Sequence, residues 1–282
     1  PLCAAGAGLL NRPRGSLKAA DFETIVKKLP PGVSTLYLWG QGEPFLAPDF
    51  LDMARFAARR GFRTITSTNG HFLENPEEIS ASGLDTLIVS LDGSDADTYS
   101  AYRTGGNFNQ VVKGIRGVVE AGKRFGKGPT VELQCVVNRM NENLRGQFRK
   151  LASETGAYRV VFKTLQAASF DGGEAFLPRD AKLSRYRKGK DGKLEPRRWR
   201  MPGGGCFRIY HSLQIDCLGN AVPCCFDKNS EWVMGNLLED SFSDVWNGPR
   251  FRSFRNELNR RGRILPMCRD CTEGLRKVHI HA

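Results

Sequence analysis

The sequence predicts an α/β chain: strand-helix units building a parallel sheet over residues 1–165, a basic linker over 166–200, and a small α+β, cysteine-rich domain over 201–282. Three observations carry this expectation. Short apolar runs alternate with amphipathic stretches, the ends of those runs hold glycine and small polar residues, and the last third contains most of the eight cysteines.

The elements follow in order. Thr35 to Trp39 is an apolar, aromatic-rich run ended by Gly40, which reads as a buried strand. From Pro48 to Arg60, the residues Phe50, Leu51, Met53, Ala54 and Ala57 recur at helical spacing, and Gly61 stops the helix. Phe62 to Thr68 is strand-like, Asn75 to Ser82 helical, and Thr86 to Leu91 a strand. A helix over Phe108 to Phe125, a strand over Val131 to Val137, a helix over Asn143 to Thr155 and a strand over Arg159 to Thr164 complete the alternation. Repeated units imply parallel strands with helices outside them, as an open sheet or curled into a barrel. Periodicity leaves both open.

With 282 residues and 40% hydrophobic content, the chain has enough apolar side chains for a sizeable core. No stretch approaches the roughly 18–20 apolar residues of a membrane span, and Pro1 to Ala5 lacks the regions of a signal peptide. The expectation is a cytoplasmic protein whose cysteines serve metal or redox chemistry rather than disulfides. The net charge of +12 is uneven, with ten Lys or Arg between Pro178 and Arg200 and a second concentration from Arg250 to Arg263. A solvated linker and a polar helix face are the ordinary reading of such runs. An acidic peptide, a phosphorylated molecule or RNA is the sharper one. His71, His211, His279 and His281 form no ligand-spaced group with the cysteines, and no phosphate loop or hydrolase motif is present.

Ligand sites of parallel α/β folds lie at the C-terminal ends of the strands. After the first comes Gly40-Gln41-Gly42-Glu43-Pro44, where small residues admit a close ligand and Glu43 supplies a carboxylate suited to an ammonium group. After the next comes Ser67-Thr68-Asn69-Gly70, and after the third Ser90-Leu91-Asp92-Gly93, with Ser90 and Asp92 on one strand face and suited to ribose hydroxyls. Each alone is an ordinary turn. Three on successive strand ends point to a ligand.

In the last third, Cys206 and Cys224 flank a hairpin with a Gly219-Asn220 turn, and Cys268-Arg269-Asp270-Cys271 closes a set of four thiols. Four cysteines complete a zinc site or an iron-sulfur cluster. Cys225 competes with Cys224 as ligand. Cys135 and Cys217 are by default small core residues; the sharper reading, implied only by the family resemblance given next, makes them hydrogen-atom donors to a substrate radical.

The run Trp39 to Leu46 resembles the Gly-Gly-Glu-Pro motif of radical S-adenosylmethionine (SAM) enzymes, with Gln41 in place of the first glycine. Thr66 to Gly70 and Ser90 to Gly93 resemble that family's third- and fourth-strand motifs, and Tyr102 to Phe108 the loop and helix that follow. The resemblance implies a partial (β/α)6 TIM-like barrel. It makes Gly42, Glu43, Ser67, Asn69, Ser90 and Asp92 SAM contacts, and Arg103 a partner for the SAM carboxylate. Cys3 resembles the third cysteine of the family's C-x3-C-x2-C motif, which ligates a 4Fe-4S cluster. The first two cysteines are expected just upstream of Pro1; the competing expectation is a shell that has lost this cluster. The C-terminal layout resembles the twitch domain, the single-cluster form of SPASM domains, with Cys206, Cys224, Cys268 and Cys271 on a second, auxiliary 4Fe-4S cluster.

The implied activity is reductive cleavage of SAM to a 5′-deoxyadenosyl radical, hydrogen abstraction from the substrate, and oxidation or other modification of a peptide or protein residue. The implied partners are a peptide or small anionic substrate and a one-electron reductant such as flavodoxin or ferredoxin. A dehydrogenase of aminocyclitol-like molecules is the alternative within the family. A non-catalytic SAM shell with a zinc module that binds RNA is the alternative outside it.

Overall fold

An apolar stripe of Phe22, Ile25 and Val26 makes Ala19–Lys27 a helix, α1, which the strand-helix expectation lacks. The alternation then runs β1 (Thr35–Tyr37), α2 (Phe50–Arg59), β2 (Arg63–Thr68), α3 (Pro76–Ala81), β3 (Thr86–Ser90), α4 (Ala96–Tyr102), α5 (Phe108–Phe125), β4 (Thr130–Val137), α6 (Arg145–Thr155) and β5 (Arg159–Thr164). These bounds come from a computed structural model that describes residues 2–167, 171–190, 192–197, 206–261, 265–268 and 271. Short α4 is also new, and a capping box fixes its start: the Asp95 side chain accepts from the Thr98 N–H, and the Thr98 hydroxyl reaches back to Asp95 N.

The five strands pair in sequence order, all parallel. Strand β4 shows why each face takes its role. Val131, Leu133 and Cys135 are buried with Leu87, Val89 and Leu91 of the β3 segment against Val111, Ile115 and Phe148 of α5 and α6. Each fully buried side chain of that size contributes about 1.5–3 kcal/mol. The alternate residues Glu132, Gln134 and Val136 lie on the other face. Register places Ser90 beside Gln134, and Ser67 beside Ile88 on that same face. The polar side chains of Ser67, Ser90 and Gln134 there are half-buried rather than packed in the core.

The chain divides into two compact units, with the barrel unit running from Val33 to Arg185 and including the first residues to Ala7. Residues Gly8–Gly32 group instead with the described residues from Tyr186 onward. Within the stretch expected to be linker, β6 (Tyr186–Lys188) and β7 (Leu194–Pro196) form an antiparallel ribbon bridged by Arg187 and Glu195. The second unit continues with β8 (Gln214–Ile215), β9 (Asn220–Val222) and β10 (Gly235–Asn236) in one antiparallel sheet, then α7 (Phe242–Trp246) and α8 (Pro249–Arg261). Ile25 of α1 packs in its core with Ile209, Leu237, Phe251, Phe254 and Leu258. Lys28 fastens the end of α1 by donating to the carbonyls of Leu237, Leu238 and Asp240. Among the described residues no helix is long and apolar enough to cross a membrane.

Candidate functional site

The ends of β1 and β2 are tied together through one carboxylate. Glu43 opens a short 3-10 turn over Pro44–Leu46 and accepts from Phe45 N at 3.2 Å. Its Oε1 also accepts the Thr68 hydroxyl at 2.7 Å, and its Oε2 the Asn69 N–H at 2.7 Å. The Thr68 oxygen in turn accepts from Gly70 N at 3.0 Å. Gly42 precedes this carboxylate at φ +114° with open space where a side chain would project. Gly70 is required outright: at φ +83° a Cβ would come within 2.7 Å of Val111, so only glycine lets α5 approach this strand end.

Asn69 is held by a second set of bonds. Its Oδ1 accepts the His71 backbone N–H at 2.8 Å and lies 3.0 Å from His71 Nδ1. An oxygen that already accepts requires Nδ1 to carry the proton, which leaves Nε2 as the acceptor for Asn107 N–H at 2.9 Å, at the start of α5. The hydrogen bonds thus dictate the His71 tautomer, and the Asn69 amide presents its NH2 group away from these partners. That NH2 group and the side chains of Ser67, Ser90 and Gln134 have no protein hydrogen bond among the described residues. They are free to meet a ligand.

Asp92, expected at the ribose, has its carboxylate engaged by protein partners. Its side chain has no exposed surface, Oδ2 takes both Nε and Nη2 of Arg103 at 2.7 Å, and Oδ1 accepts Val136 N at 2.6 Å. With both oxygens engaged below the surface, its side chain orients Arg103 instead. Burial works against the Arg103 charge, and the Asp92 carboxylate together with Tyr99 and Tyr102 outweighs it, raising the guanidinium pKa. Gly93 permits this geometry, because a Cβ there would lie 2.1 Å from Tyr99 N.

Cys135 also departs from the donor reading. It faces the helices in the core, its Sγ lies 3.4 Å from Asn141 Nδ2, and burial pushes its thiol well above the ordinary range. Such a thiol is a packing residue. Cys217 lies half-buried in the β8–β9 turn of the second unit, with Arg12 Nη1 3.9 Å from its sulfur. Cys3 is exposed in a turn in which its carbonyl accepts Ala7 N–H at 2.8 Å.

In the second unit, Cys206, Cys224, Cys268 and Cys271 line one apolar cavity of about 340 Å³, counting the space it opens to solvent, together with Ile209, Phe254 and Leu258. Cys225 is exposed. Asp227 shapes the loop beside Cys224 by accepting Glu231 N and Trp232 N, both at 2.9 Å, while its own N–H donates to the Cys224 carbonyl. Burial pushes the Cys224 thiol up to about 12. The four thiols line one cavity, and a bound positive centre there would stabilise them as thiolates. Among the described residues no three His, Cys, Asp or Glu converge as ligands of a single metal ion. The donor set and the cavity fit an iron-sulfur cluster.

Sequence reasoning did not single out Thr68, His71, Gln134 or the Asp92–Arg103 pairing. Gln134 was discoverable from the alternation Val131-Glu132-Leu133-Gln134-Cys135, which puts polar groups on the face away from the helices. The other three depend on contacts between distant segments.

Known proteins place these observations. The radical SAM superfamily model matches residues 2–131, and the SPASM iron-sulfur cluster-binding domain matches residues 206–272. An AdoMet-dependent heme synthase of Methanosarcina barkeri is 25% identical over 92% of this chain and 81% of its own length. Mycofactocin maturase MftC of Mycobacterium ulcerans is 29% identical over 90% and 72%. Streptococcus suis SuiB, solved with its precursor peptide SuiA, superposes with a TM-score of 0.62 at 16% identity over 86% of this chain and 61% of that one, a likeness of fold. The fold is therefore a partial parallel β/α barrel followed by a small cysteine-rich domain, and its cofactors are SAM and 4Fe-4S iron-sulfur clusters. With the two domain models matched in order along one chain, the protein belongs to the radical SAM superfamily and carries a C-terminal SPASM domain.

Proposed function

We propose that this chain is a peptide-modifying radical SAM enzyme with a redox-active auxiliary cluster. The observation that carries the reading is the Glu43 carboxylate, clamped by Thr68 and Asn69 between two strand ends and facing side chains with unused donors. When bound, SAM and the barrel cluster supply the 5′-deoxyadenosyl radical that takes a hydrogen atom from the substrate. The chain's own residues position and shield. Glu43, fixed by two bonds of 2.7 Å, receives the ammonium of SAM; Ser67, Ser90 and the Asn69 NH2 offer hydrogen bonds to its polar edges. Asp92 holds Arg103 so that its remaining N–H groups face the carboxylate of SAM. Cys3 would serve the barrel cluster, and Cys206, Cys224, Cys268 and Cys271 would close the auxiliary one. A cluster closed by four cysteines leaves no iron for substrate and suits electron acceptance.

The peptide reading is supported by the maturase among the relatives and by the basic stretch from Pro178. The test uses the full-length protein, loaded anaerobically and given SAM, dithionite and a deuterated precursor-type peptide. The expected result is 5′-deoxyadenosine carrying deuterium from the peptide. Label transferred from a deuterated aminocyclitol but not from peptide would overturn the substrate class, and intact SAM would overturn the enzyme.

A further inference from the structure

Arg255 stands on α8 between Phe254 and Leu258, two residues that line the four-cysteine cavity, and is only 9% exposed. Its guanidinium is boxed by aromatic rings, 3.8 Å from the centroid of Phe251, 4.4 Å from Trp246 and 5.4 Å from Tyr210. Nε donates to the carbonyl of Ile209 at 3.2 Å, and Ile209 is itself part of the cavity wall. Nη1 donates to the Trp246 carbonyl at 2.7 Å. Nη2 is buried with no hydrogen-bond partner among the described residues.

A buried cation ordinarily has an acid beside it. Here the buried carboxylates of the same unit are committed elsewhere: Asp216 to Leu218 N, Asn220 N and the Ser230 hydroxyl, and Asp227 to Glu231 N and Trp232 N. Among the described residues only neutral groups surround the guanidinium, and burial lowers its pKa from the usual arginine value. A packing role alone, tying Ile209 and Trp246 to α8, explains two N–H groups, and the rings offset part of the cost of the buried charge, but Nη2 stays without a partner among the described residues. An iron-sulfur cluster held by four thiolates is net negative and would sit in the cavity walled by Ile209, Phe254 and Leu258, to which Arg255 is linked through the Ile209 carbonyl and its place on α8.

We infer that Arg255 is the counter-charge of the auxiliary cluster and raises its reduction potential, so that the cluster accepts an electron from the substrate side more readily. The inference rests on the reading that the four cysteines hold a cluster. A nearby positive charge stabilises the reduced, more negative cluster, so its removal makes reduction harder.

The test is a potentiometric EPR titration of the loaded full-length protein with Arg255→Gln and Arg255→Lys. Arg255→Gln is expected to lower the equilibrium constant for reducing the auxiliary cluster at least tenfold, about 59 mV for one electron. Arg255→Lys stays within about threefold of the wild type, and the barrel-cluster signal is unchanged in both. A cluster retained by Arg255→Lys but lost from Arg255→Gln also supports a charge requirement. Unchanged potential in Arg255→Gln, equal shifts in both variants, or cluster loss from both overturns the inference, leaving Arg255 a packing residue. Absence of a second cluster from the wild type would instead overturn the reading beneath it.

Discussion

The Asp92–Arg103 pair makes a prediction whose asymmetry comes directly from burial. Asp92 has no exposed side-chain surface, while Arg103 keeps 26% of its own. Removing the guanidinium with Arg103→Met leaves a fully buried carboxylate with one remaining donor, Val136 N–H. Breaking a buried pair in this direction costs about 3–5 kcal/mol. The converse change, Asp92→Asn, leaves a guanidinium that can turn toward solvent and costs roughly 1–3 kcal/mol. At about 2–4 °C per kcal/mol for a unit of this size, Arg103→Met lowers Tm by roughly 10 °C and Asp92→Asn by roughly half that. The double variant falls short of the sum, because the orphaned charge is gone. Thermal unfolding of both singles and the double at about pH 7.5 measures all of this. Equal costs for the two singles, or strict additivity, would refute the assignment of Asp92 as the buried anchor of Arg103.

Three further outcomes follow from the same site. Glu43→Gln turns an acceptor of Thr68 and Asn69 into a group that must also donate, and weakens SAM binding roughly 10- to 100-fold by equilibrium dialysis, while Thr68→Val weakens it about fivefold. His71→Asn keeps a donor toward Asn69 and holds SAM affinity within about twofold of the wild type, whereas His71→Leu loses both contacts and weakens it about fivefold; the reverse order would remove His71 from the site. Asp95→Ala costs about 1 kcal/mol by loss of the α4 cap. Bonding to Thr98 N holds the Asp95 carboxyl below its ordinary value of 3.8, so the cap's contribution is present at neutral pH and is lost as pH falls from that value through the folded one. Urea titration at pH 7 and pH 3 reads the difference.

Much of the barrel is legible in the sequence because its signals are local. The helix Phe108–Phe125 and the strand Arg159–Thr164 appear at their expected bounds, since periodicity and the glycine stop at Gly126 act within the segment. The clustering of Glu43, Thr68 and Asn69 is foreshadowed by polar residues on successive strand ends. What stays hidden is which side chains meet. Asp92 and Ser90 share a strand face by spacing, yet the chain leaves the strand at Leu91 and carries Asp92 down to Val136 and Arg103. Helix α1 looks like part of the first domain until Ile25 is seen packing with Leu237 and Phe251. Arg255 lies in a helix with so many charges that its burial leaves no trace in composition.

Metal analysis with Mössbauer spectroscopy of the anaerobically loaded full-length protein tests the central claim most directly. Two four-iron clusters predict about eight iron atoms per chain and no stoichiometric zinc, with Cys224→Ser reducing the auxiliary signal and Cys225→Ser leaving it intact. One zinc and no iron, or an auxiliary cluster that depends on Cys225 and not Cys224, would contradict it.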